Sequence, residues 1–362
     1  MSGFHVNIEA LRSMASGMER QAESMYALSN HFYKINSGAF TGLLGNIKPH
    51  VENVKFRNMN RAVAAQTCCS QTGDNLTTAQ NYYSETESAH AEHVDSTLPA
   101  GKYTVPLPIG GGAVPPPNAP YTDLSDARGR LVEPPSYDEE MSWKPALEAD
   151  LLSVTAGLRE FVKWALGEDP FETMFNGLLG DWREIRRSAD IFNNAAWAYL
   201  DVKLNIEDYI RRGQEDWRGN AAALAYEYLG SLTTGLSGEC DVNRHLSDQF
   251  KELAEGSYNI FIFLSGEVGA WADKLIQAAL AAMAAGGTST VPGLNIVTAA
   301  NAAYRLVEAA KSGYEILSAT MRLKDLLNGF QGMLDVNGNN SFEIKNGGRE
   351  IPAAPYKSPV GN

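Results

Sequence analysis

The sequence predicts an all-α protein in which two long antiparallel helical hairpins pack as a bundle, joined by a Pro/Gly-rich linker and followed by extra C-terminal helices. Two regions carry apolar residues at alternating spacings of three and four, the heptad pattern of helices that pack along their length. The chain between them is rich in proline, and no region shows the alternating β-branched runs typical of strands. We therefore expect helices and no substantial sheet.

The first predicted helix begins after Asn7, whose side chain can accept a hydrogen bond from a free N–H group of the first turn. Its heptad pattern is interrupted only by Ser29 and ends at Asn36-Ser37-Gly38. A second helix is predicted from Val51 to about His93, with a soft break at Gly73. The apolar positions of the first helix are Ile8, Leu11, Ala15, Met18, Ala22, Met25 and Phe32.

Proline dominates the next segment, because ten of the sixteen prolines in the chain lie between Leu98 and Pro145. Proline fixes φ and lacks an N–H donor, so this linker is predicted to be extended, either mobile or draped over the helices. Pro134-Pro135-Ser136-Tyr137 fits a PPxY ligand pattern, but a proline-rich linker that happens to contain a tyrosine explains the same residues.

A second heptad stripe follows the linker and is interrupted at Lys203. A turn is predicted at Asp216–Asn220, then a helix from Ala221 to about Leu232, and longer helices over Asn243–Ala285 and Asn295–Leu327. The stripe consists of Ile185, Ala189, Phe192, Ala196, Tyr199, Ile206 and Ile210.

These patterns divide the chain into four parts. We expect a first hairpin in residues 1–95, a linker in 96–145, a second helical domain in 146–330 and a flexible tail in 331–362. Each helical part is long enough to bury a core.

Composition narrows the function. The chain has 362 residues and a net charge of −13, and it shows no dense cluster of Lys and Arg, so nucleic acid is not an expected partner. The three cysteines, Cys68, Cys69 and Cys240, form neither a disulfide framework nor a paired zinc motif and are expected to be buried thiols. Met1–Leu11 lacks the features of a Sec-type signal peptide.

The turn Asp216–Asn220 carries Trp217 and Gly219. Glycine permits a tight reversal, and tryptophan supplies a large apolar surface that can fasten a helix end. This turn resembles the WxG family of type VII (ESX) secretion substrates. The run from Gly180 to Tyr228 and the break at Ala285–Thr288 resemble large actinobacterial members. The resemblance implies an antiparallel hairpin and assigns Trp217 and Gly219 to an export signal.

The first hairpin resembles the EspC-like family of excreted proteins. The resemblance rests on Gly3–Asn7, on the following Glu9-Ala10-Leu11, and on Ala39–Gly45. It places Phe40 and Gly42 in the turn between the two helices, with phenylalanine where a WxG protein has tryptophan.

Tyr83 and Glu87 fit Tyr-x-x-x-[Asp/Glu], the general export signal of type VII substrates. A spacing of four would place both side chains on one helix face, which could present them to a receptor. Tyr304 and Glu308 fit the same pattern, but Tyr83 and Glu87 occupy the position that the family uses, near the end of the first hairpin.

The two motifs in one chain resemble a fused PE–PPE pair. The resemblance implies a non-enzymatic structural or interaction protein that folds in the cytoplasm, is recognised by the type VII secretion ATPase, and acts outside the cell or at its surface. A cognate chaperone, a co-secreted WxG partner or a homo-oligomer are further expected partners.

Two other functions stay open. One is a trafficking or delivery module of a polymorphic toxin system. The other is a membrane-active or channel-forming secreted protein, which the apolar segments Phe261–Leu264 and Leu275–Ala285 suggest, although such helices more often form cores.

No cofactor or metal is expected. His90 and His93 lie three residues apart beside Glu92 but lack an obvious third ligand. The stretch from Asp335 imitates a calcium loop but has Asn340 where the loop needs Gly and Asn346 where it needs Glu. No nucleophile motif is visible.

The two hairpins expose apolar seams that are costly to leave in water. Packing the hairpins on each other would bury both seams. We predict that this docking brings the Tyr83 and Glu87 end of the first hairpin to the Trp217 and Gly219 turn of the second.

Overall fold

The computed structural model describes residues 4–86, 88–101, 120–137, 181–287, 294–338, 351–354 and 356–360. Of these residues 82% are helical, which confirms the all-α prediction. The described residues form six α-helices, which are α1 (Ile8–His31), α2 (Lys48–Glu85), α3 (Ser88–Thr97), α4 (Trp182–Asp216), α5 (Asn220–Gly287) and α6 (Leu294–Gly338).

Strand structure within the described ranges amounts to one antiparallel pair. The strands β1 (His5–Val6) and β2 (Trp217–Arg218) are two residues each. Short 3-10 helices occur at Phe32–Lys34, Ser37–Ala39, Gly42–Ile47 and Arg128–Arg130.

Helix α1 begins as predicted, because the Asn7 side chain accepts a hydrogen bond from the Ala10 N–H at 3.3 Å. Its heptad seam is buried from Leu11 to Phe32, with Ile8 partly buried, and Leu11, Met18 and Met25 are each 2% exposed or less. Helices α1 and α2 form the first hairpin, and α4 and α5 form the second.

The two hairpins dock through α1 and α4, which run antiparallel. Asn7 contacts Asp216 at one end of the pair, and the Phe32 ring packs at a tilt against Phe192 toward the other. In the middle, Tyr209 lies against Gly17, where any larger residue would collide with its ring. The seams of both hairpins therefore form one continuous core.

Two predicted helix breaks are wrong. Helix α2 runs through Gly73, because this glycine permits close approach to α1, where a Cβ would lie 2.7 Å from Glu19 Oε1. Helix α5 continues between Leu232 and Asn243, because Leu236 extends its buried stripe against α4. Packing along the stripe outweighs the cost of about 1 kcal/mol for a glycine in a helix.

The described part of the linker, residues 120–137, lies draped over the helices. This is one of the two arrangements that the sequence predicts for the linker. Asn205 on α4 accepts hydrogen bonds from the backbone N–H groups of Leu124 and Ser125 at 2.8 and 3.0 Å. Arg20 on α1 donates to the Tyr121 carbonyl at 2.6 Å. The linker thus bridges α1 and α4.

The last segment differs from the flexible tail that the sequence predicts. Helix α6 extends to Gly338, and residues 351–354 and 356–360, which we call the strap, contact the helices. Ile351, Tyr356 and Val360 are buried in the main core. Asn and Pro content alone therefore gave a wrong expectation for the strap.

No helix within the described ranges is long and apolar enough to cross a membrane. Ile262 and Phe263 in α5 are nevertheless 36% and 46% exposed, so they do not belong to the core.

Candidate functional site

The candidate site is the end of the bundle where the Trp217 turn of the second hairpin meets the first hairpin. Helix α4 ends at Asp216, and the backbone reverses through Gly219, whose φ of 138° lies in a region that favours glycine. The Trp217 side chain is 2% exposed. The turn predicted at Asp216–Asn220 is therefore confirmed.

The N-terminal segment fixes this turn from one side. Val6 pairs with Trp217 and His5 with Arg218 in the two-stranded ribbon. The Asn7 backbone N–H then donates to the Asp216 carbonyl at 2.7 Å, and its side-chain amide donates to Asp216 Oδ1 at 3.3 Å. Asn7 thus caps α1 and secures the end of α4.

Asp95, on α3 of the first hairpin, caps the helix that leaves the turn. Its two carboxylate oxygens accept hydrogen bonds from the backbone N–H groups of Asn220 and Ala221 at 2.8 and 2.9 Å. A carboxylate at a helix N-terminus also interacts favourably with the helix dipole. Gly219 is required here for space as well, because a Cβ would lie 2.6 Å from Asp95 Oδ2.

Tyr83, near the end of α2, packs directly on the Trp217 indole. Their ring centroids lie 6.4 Å apart with the planes at 69°, an edge-to-face arrangement. Phe4 and Tyr82 complete the aromatic surroundings of Tyr83 at 5.8 and 5.4 Å. On its other side Trp217 packs against Tyr226, whose hydroxyl donates to the Trp217 carbonyl at 3.0 Å.

Burial raises the pKa of Tyr83 to about 12, and the neighbouring Trp217 indole N–H opposes part of this shift. Neither the Tyr83 hydroxyl nor the indole N–H has a partner in hydrogen-bond geometry within the described residues. Tyr83 is therefore neutral at physiological pH.

The predicted approach of the two motifs is confirmed for Tyr83 and Trp217. Helix α2 ends at Glu85 and Thr86 is extended with ψ 135°, and the predicted shared helix face stays untested because it involves Glu87. Tyr83 is also only 6% exposed, so its ring is not presented to solvent. Glu87 lies outside the described residues.

The second match to the export pattern has the geometry that the first lacks. Tyr304 and Glu308 lie within α6, and the Tyr304 hydroxyl donates to Glu308 Oε1 at 3.1 Å. Tyr304 is 59% exposed. Exposure on a helix face therefore distinguishes Tyr304 from Tyr83, whereas contact with Trp217 distinguishes Tyr83 from Tyr304.

The turn of the first hairpin lies at the opposite end of the bundle. Phe40 is buried, and Gly42 adopts φ 59°, so both residues predicted for this turn are structural parts of it. Its contact with the second hairpin includes a hydrogen bond from the Asp181 N–H to the Ala39 carbonyl at 3.4 Å.

Sequence reasoning missed the polar network that sets how the hairpins are aligned. Gln21 and Asn205, both essentially unexposed, bond to each other at 3.1 Å across α1 and α4. The Gln21 amide also donates to the Tyr209 hydroxyl at 2.9 Å. Gln21 lies next to the seam residue Ala22 in the sequence. A polar residue beside an apolar stripe was therefore the signal from which this network could have been predicted.

The described ranges contain no group of three or more His, Cys, Asp or Glu residues that could hold a metal ion. Cys68, Cys69 and Cys240 are buried free thiols, as expected, and burial raises the pKa of each.

Comparison of the chain with protein families, with curated proteins and with solved structures found no match.

Proposed function

We propose that this chain is a substrate of a bacterial type VII secretion system that acts after export as a structural or interaction protein without enzymatic activity. The single observation that carries the proposal is the contact between Tyr83 and Trp217, which joins the two motifs in one cluster. We call the cluster formed by Phe4, Tyr82, Tyr83, Asp95, Trp217 and Gly219 the junction.

The junction would serve as a composite export signal that exists only in the folded protein. Its parts come from the N-terminal segment, from α2 and α3 and from the Trp217 turn, so only the docked hairpins can assemble it. Fusion in one chain supports this role, because covalent linkage replaces the diffusional encounter of two separate partners. The secretion ATPase would be the first partner, and the cell surface or exterior the destination.

Export from a bacterium that carries a type VII system tests the proposal. Tyr83→Ala and Trp217→Ala should be retained in cells, whereas Tyr83→Phe and Trp217→Phe, which keep a ring, should be exported. Because both side chains are buried, circular dichroism and thermal melting must first show that each variant is folded.

Tyr304→Ala is the matched control, because it removes the tyrosine of the same motif from an exposed position on α6. It should be exported at the wild-type level.

Normal export of folded Tyr83→Ala and Trp217→Ala would disprove the composite signal. Selective retention of Tyr304→Ala would show that the export signal lies on α6 instead.

Contact with membranes is a second candidate function, favoured by the exposed Ile262 and Phe263 on α5. Exposed apolar side chains are available to insert into a lipid surface. Dye release from liposomes across a range of pH values measures this property. A double Ile262→Ser and Phe263→Ser variant should lose any release that the parent shows, and no release by the parent would exclude this function.

A further inference from the structure

Three large side chains form an exposed stripe along α6. Val307, Tyr314 and Met321 are 55%, 73% and 57% exposed. They lie seven residues apart in one helix, so they project from the same face of it. We call these three residues the α6 stripe. A heptad spacing of large apolar side chains is the pattern by which one helix packs along a second helix.

The opposite face of α6 belongs to the core of the protein. Leu323, Leu327 and Phe330 are 1%, 3% and 6% exposed. The Phe330 ring packs edge-to-face against Phe250 of α5, with ring centroids 4.9 Å apart. At 3.6 residues per turn these positions lie on the far side of the helix from Tyr314. The packing of α6 on α5 therefore leaves the α6 stripe in solvent.

Charged side chains of both signs flank the α6 stripe. Glu308 follows Val307 in the sequence, and Arg322 follows Met321, so the two ends of the stripe carry opposite charges. Among the ion pairs of the described residues, none involves Glu308, Lys311 or Arg322. These charges are therefore available to a partner that packs on the stripe.

The order of the charges fits a second copy of the chain in antiparallel orientation. With Tyr314 on a two-fold axis, Val307 and Met321 each lie about 10 Å from the axis along the helix. Val307 of each copy then packs on the partner's Met321, and the two Tyr314 rings pack on each other. Glu308 lies beside the partner's Arg322, and this contact occurs twice.

A parallel pair would place like charges together. Glu308 would face its own copy, and so would Arg322, which is unfavourable. In the antiparallel pair only Glu315, next to Tyr314, lies near its own copy at the axis. Lys311 precedes Glu315 by four residues on the same helix face and supplies a positive charge beside this carboxylate in both copies.

We propose that the α6 stripe is a homodimer interface, at which two copies of the chain pack their α6 helices antiparallel about a two-fold axis through Tyr314. This proposal goes beyond the function proposed above and does not depend on export. The stripe is about 21 Å long, so two helices in contact along it bury less than the roughly 1,200 Å² of a standard stable complex. The dimer therefore dissociates on dilution.

Sedimentation velocity of the purified full chain, from about 5 μM to about 500 μM, tests the dimer. The mass of the parent should rise from one chain to two across this range. Tyr314→Ser should raise the dissociation constant about tenfold or more, because it removes the ring at the centre of the contact. A constant monomer mass for the parent would overturn the proposal.

Phe56→Ser is the matched control, because Phe56 is a 53% exposed aromatic residue on α2. It should dimerise like the parent. Equal weakening by Phe56→Ser and Tyr314→Ser would overturn the α6 stripe as the interface. Circular dichroism shows first that each variant has the helical content of the parent.

A charge swap tests the antiparallel contact and leaves the apolar side chains in place. Glu308→Arg and Arg322→Glu should each raise the dissociation constant about fivefold at low salt, because each turns two attractive contacts into repulsive ones. The double variant should recover the affinity of the parent. Single changes without effect, or a double variant weaker than both single variants, would contradict the predicted contact.

Disulfide cross-linking reads the orientation directly. The native thiols Cys68, Cys69 and Cys240 are buried, so an introduced exposed thiol should react first. A mixture of tagged Val307→Cys and untagged Met321→Cys chains should cross-link to each other faster than either variant cross-links to itself. Faster cross-linking of each variant to itself would show a parallel pair and overturn the proposal.

Lipid is the other occupant that an exposed apolar helix face could have. Flotation with vesicles of phosphatidylcholine and phosphatidylglycerol measures this binding. Parent protein that dimerises and stays unbound supports the proposal. Parent protein that stays monomeric and binds vesicles through Tyr314, so that Tyr314→Ser no longer floats, would assign the α6 stripe to a membrane surface and overturn the dimer.

Discussion

The two hairpin turns share a pattern of an aromatic residue, one intervening residue and glycine, yet they are stabilised in different ways. At Trp217 the first hairpin supplies a paired strand, the Asn7 contacts and the Asp95 cap. At Phe40 the local 3-10 helices form most of the turn, and the Asp181 N–H of the second hairpin donates a hydrogen bond to the Ala39 carbonyl.

The pattern of an aromatic residue, one intervening residue and glycine therefore predicts a turn. It does not predict whether the other hairpin packs closely on that turn. Phe40 and Trp217 are equally buried at 2%. What distinguishes the Trp217 turn is that side chains reach it from more than 100 positions away, above all those of Asp95 and Tyr83. The Phe40 turn is contacted by Asp181 through a backbone hydrogen bond.

The largest effect that we predict comes from the glycines of the two turns. Gly219→Ala should lower the free energy of unfolding by about 3 kcal/mol, because φ 138° is strained for alanine and its Cβ would displace Asp95. Gly42→Ala, at φ 59°, should cost about 1 kcal/mol. Urea denaturation measures both, and equal losses would remove the contrast between the turns.

The caps should show a smaller difference in the same direction. Asp95→Ala removes the acceptor of two backbone N–H groups and should cost about 2 kcal/mol. Asn36→Ala removes one bond to the Gly38 N–H in an exposed turn and should cost about 0.5 kcal/mol. A denaturant titration measures both losses. A larger loss of stability for Asn36→Ala than for Asp95→Ala would contradict the prediction.

Acid should affect the Phe40 end selectively, and this is the smallest predicted effect. Burial, with a contribution from Lys34, lowers the pKa of His31 from 6.5 to about 4, against an opposing effect of Glu133. The unfolded chain therefore binds a proton that the folded chain rejects, so stability is full above pH 6.5 and falls toward pH 4.

Between about pH 7 and pH 5 this linkage would cost about 2 kcal/mol for a fully buried group, and partial solvent screening of His31 reduces the expected cost to about 1 kcal/mol. His31→Gln should remove that part of the pH dependence while leaving the response of other groups. A parent and variant with parallel stability profiles across this window would show that His31 does not titrate as described.

Residues with local or periodic patterns were predictable. The Asn7 cap, the heptad seams and the turn at Trp217 follow from spacing and from the properties of individual residue types, and the structure confirms each of them. The docking of the two hairpins followed from the need to bury two seams at once. Which ends would meet did not follow from that need, because the linker is long enough for either orientation.

Residues that act over long distances were not predictable. In the sequence Asp95 is an ordinary polar helix residue, and only the folded chain shows that the first turn of α5 lies beside it. Tyr356 lies in a segment that is rich in Pro. Gly73 was read as a break because a single sequence does not show that Ala15 and Glu19 lie against it. Pairwise contacts between distant segments leave no period in the sequence.

The Asp95 cap has a kinetic consequence. It joins residues 125 positions apart, so α5 can receive its cap only after a loop of that size has closed, and large loops close slowly. During synthesis the first hairpin must wait until Asn220 and Ala221 have left the ribosome. We therefore expect the junction to form after the first hairpin, so that its completion reports that the two hairpins have docked.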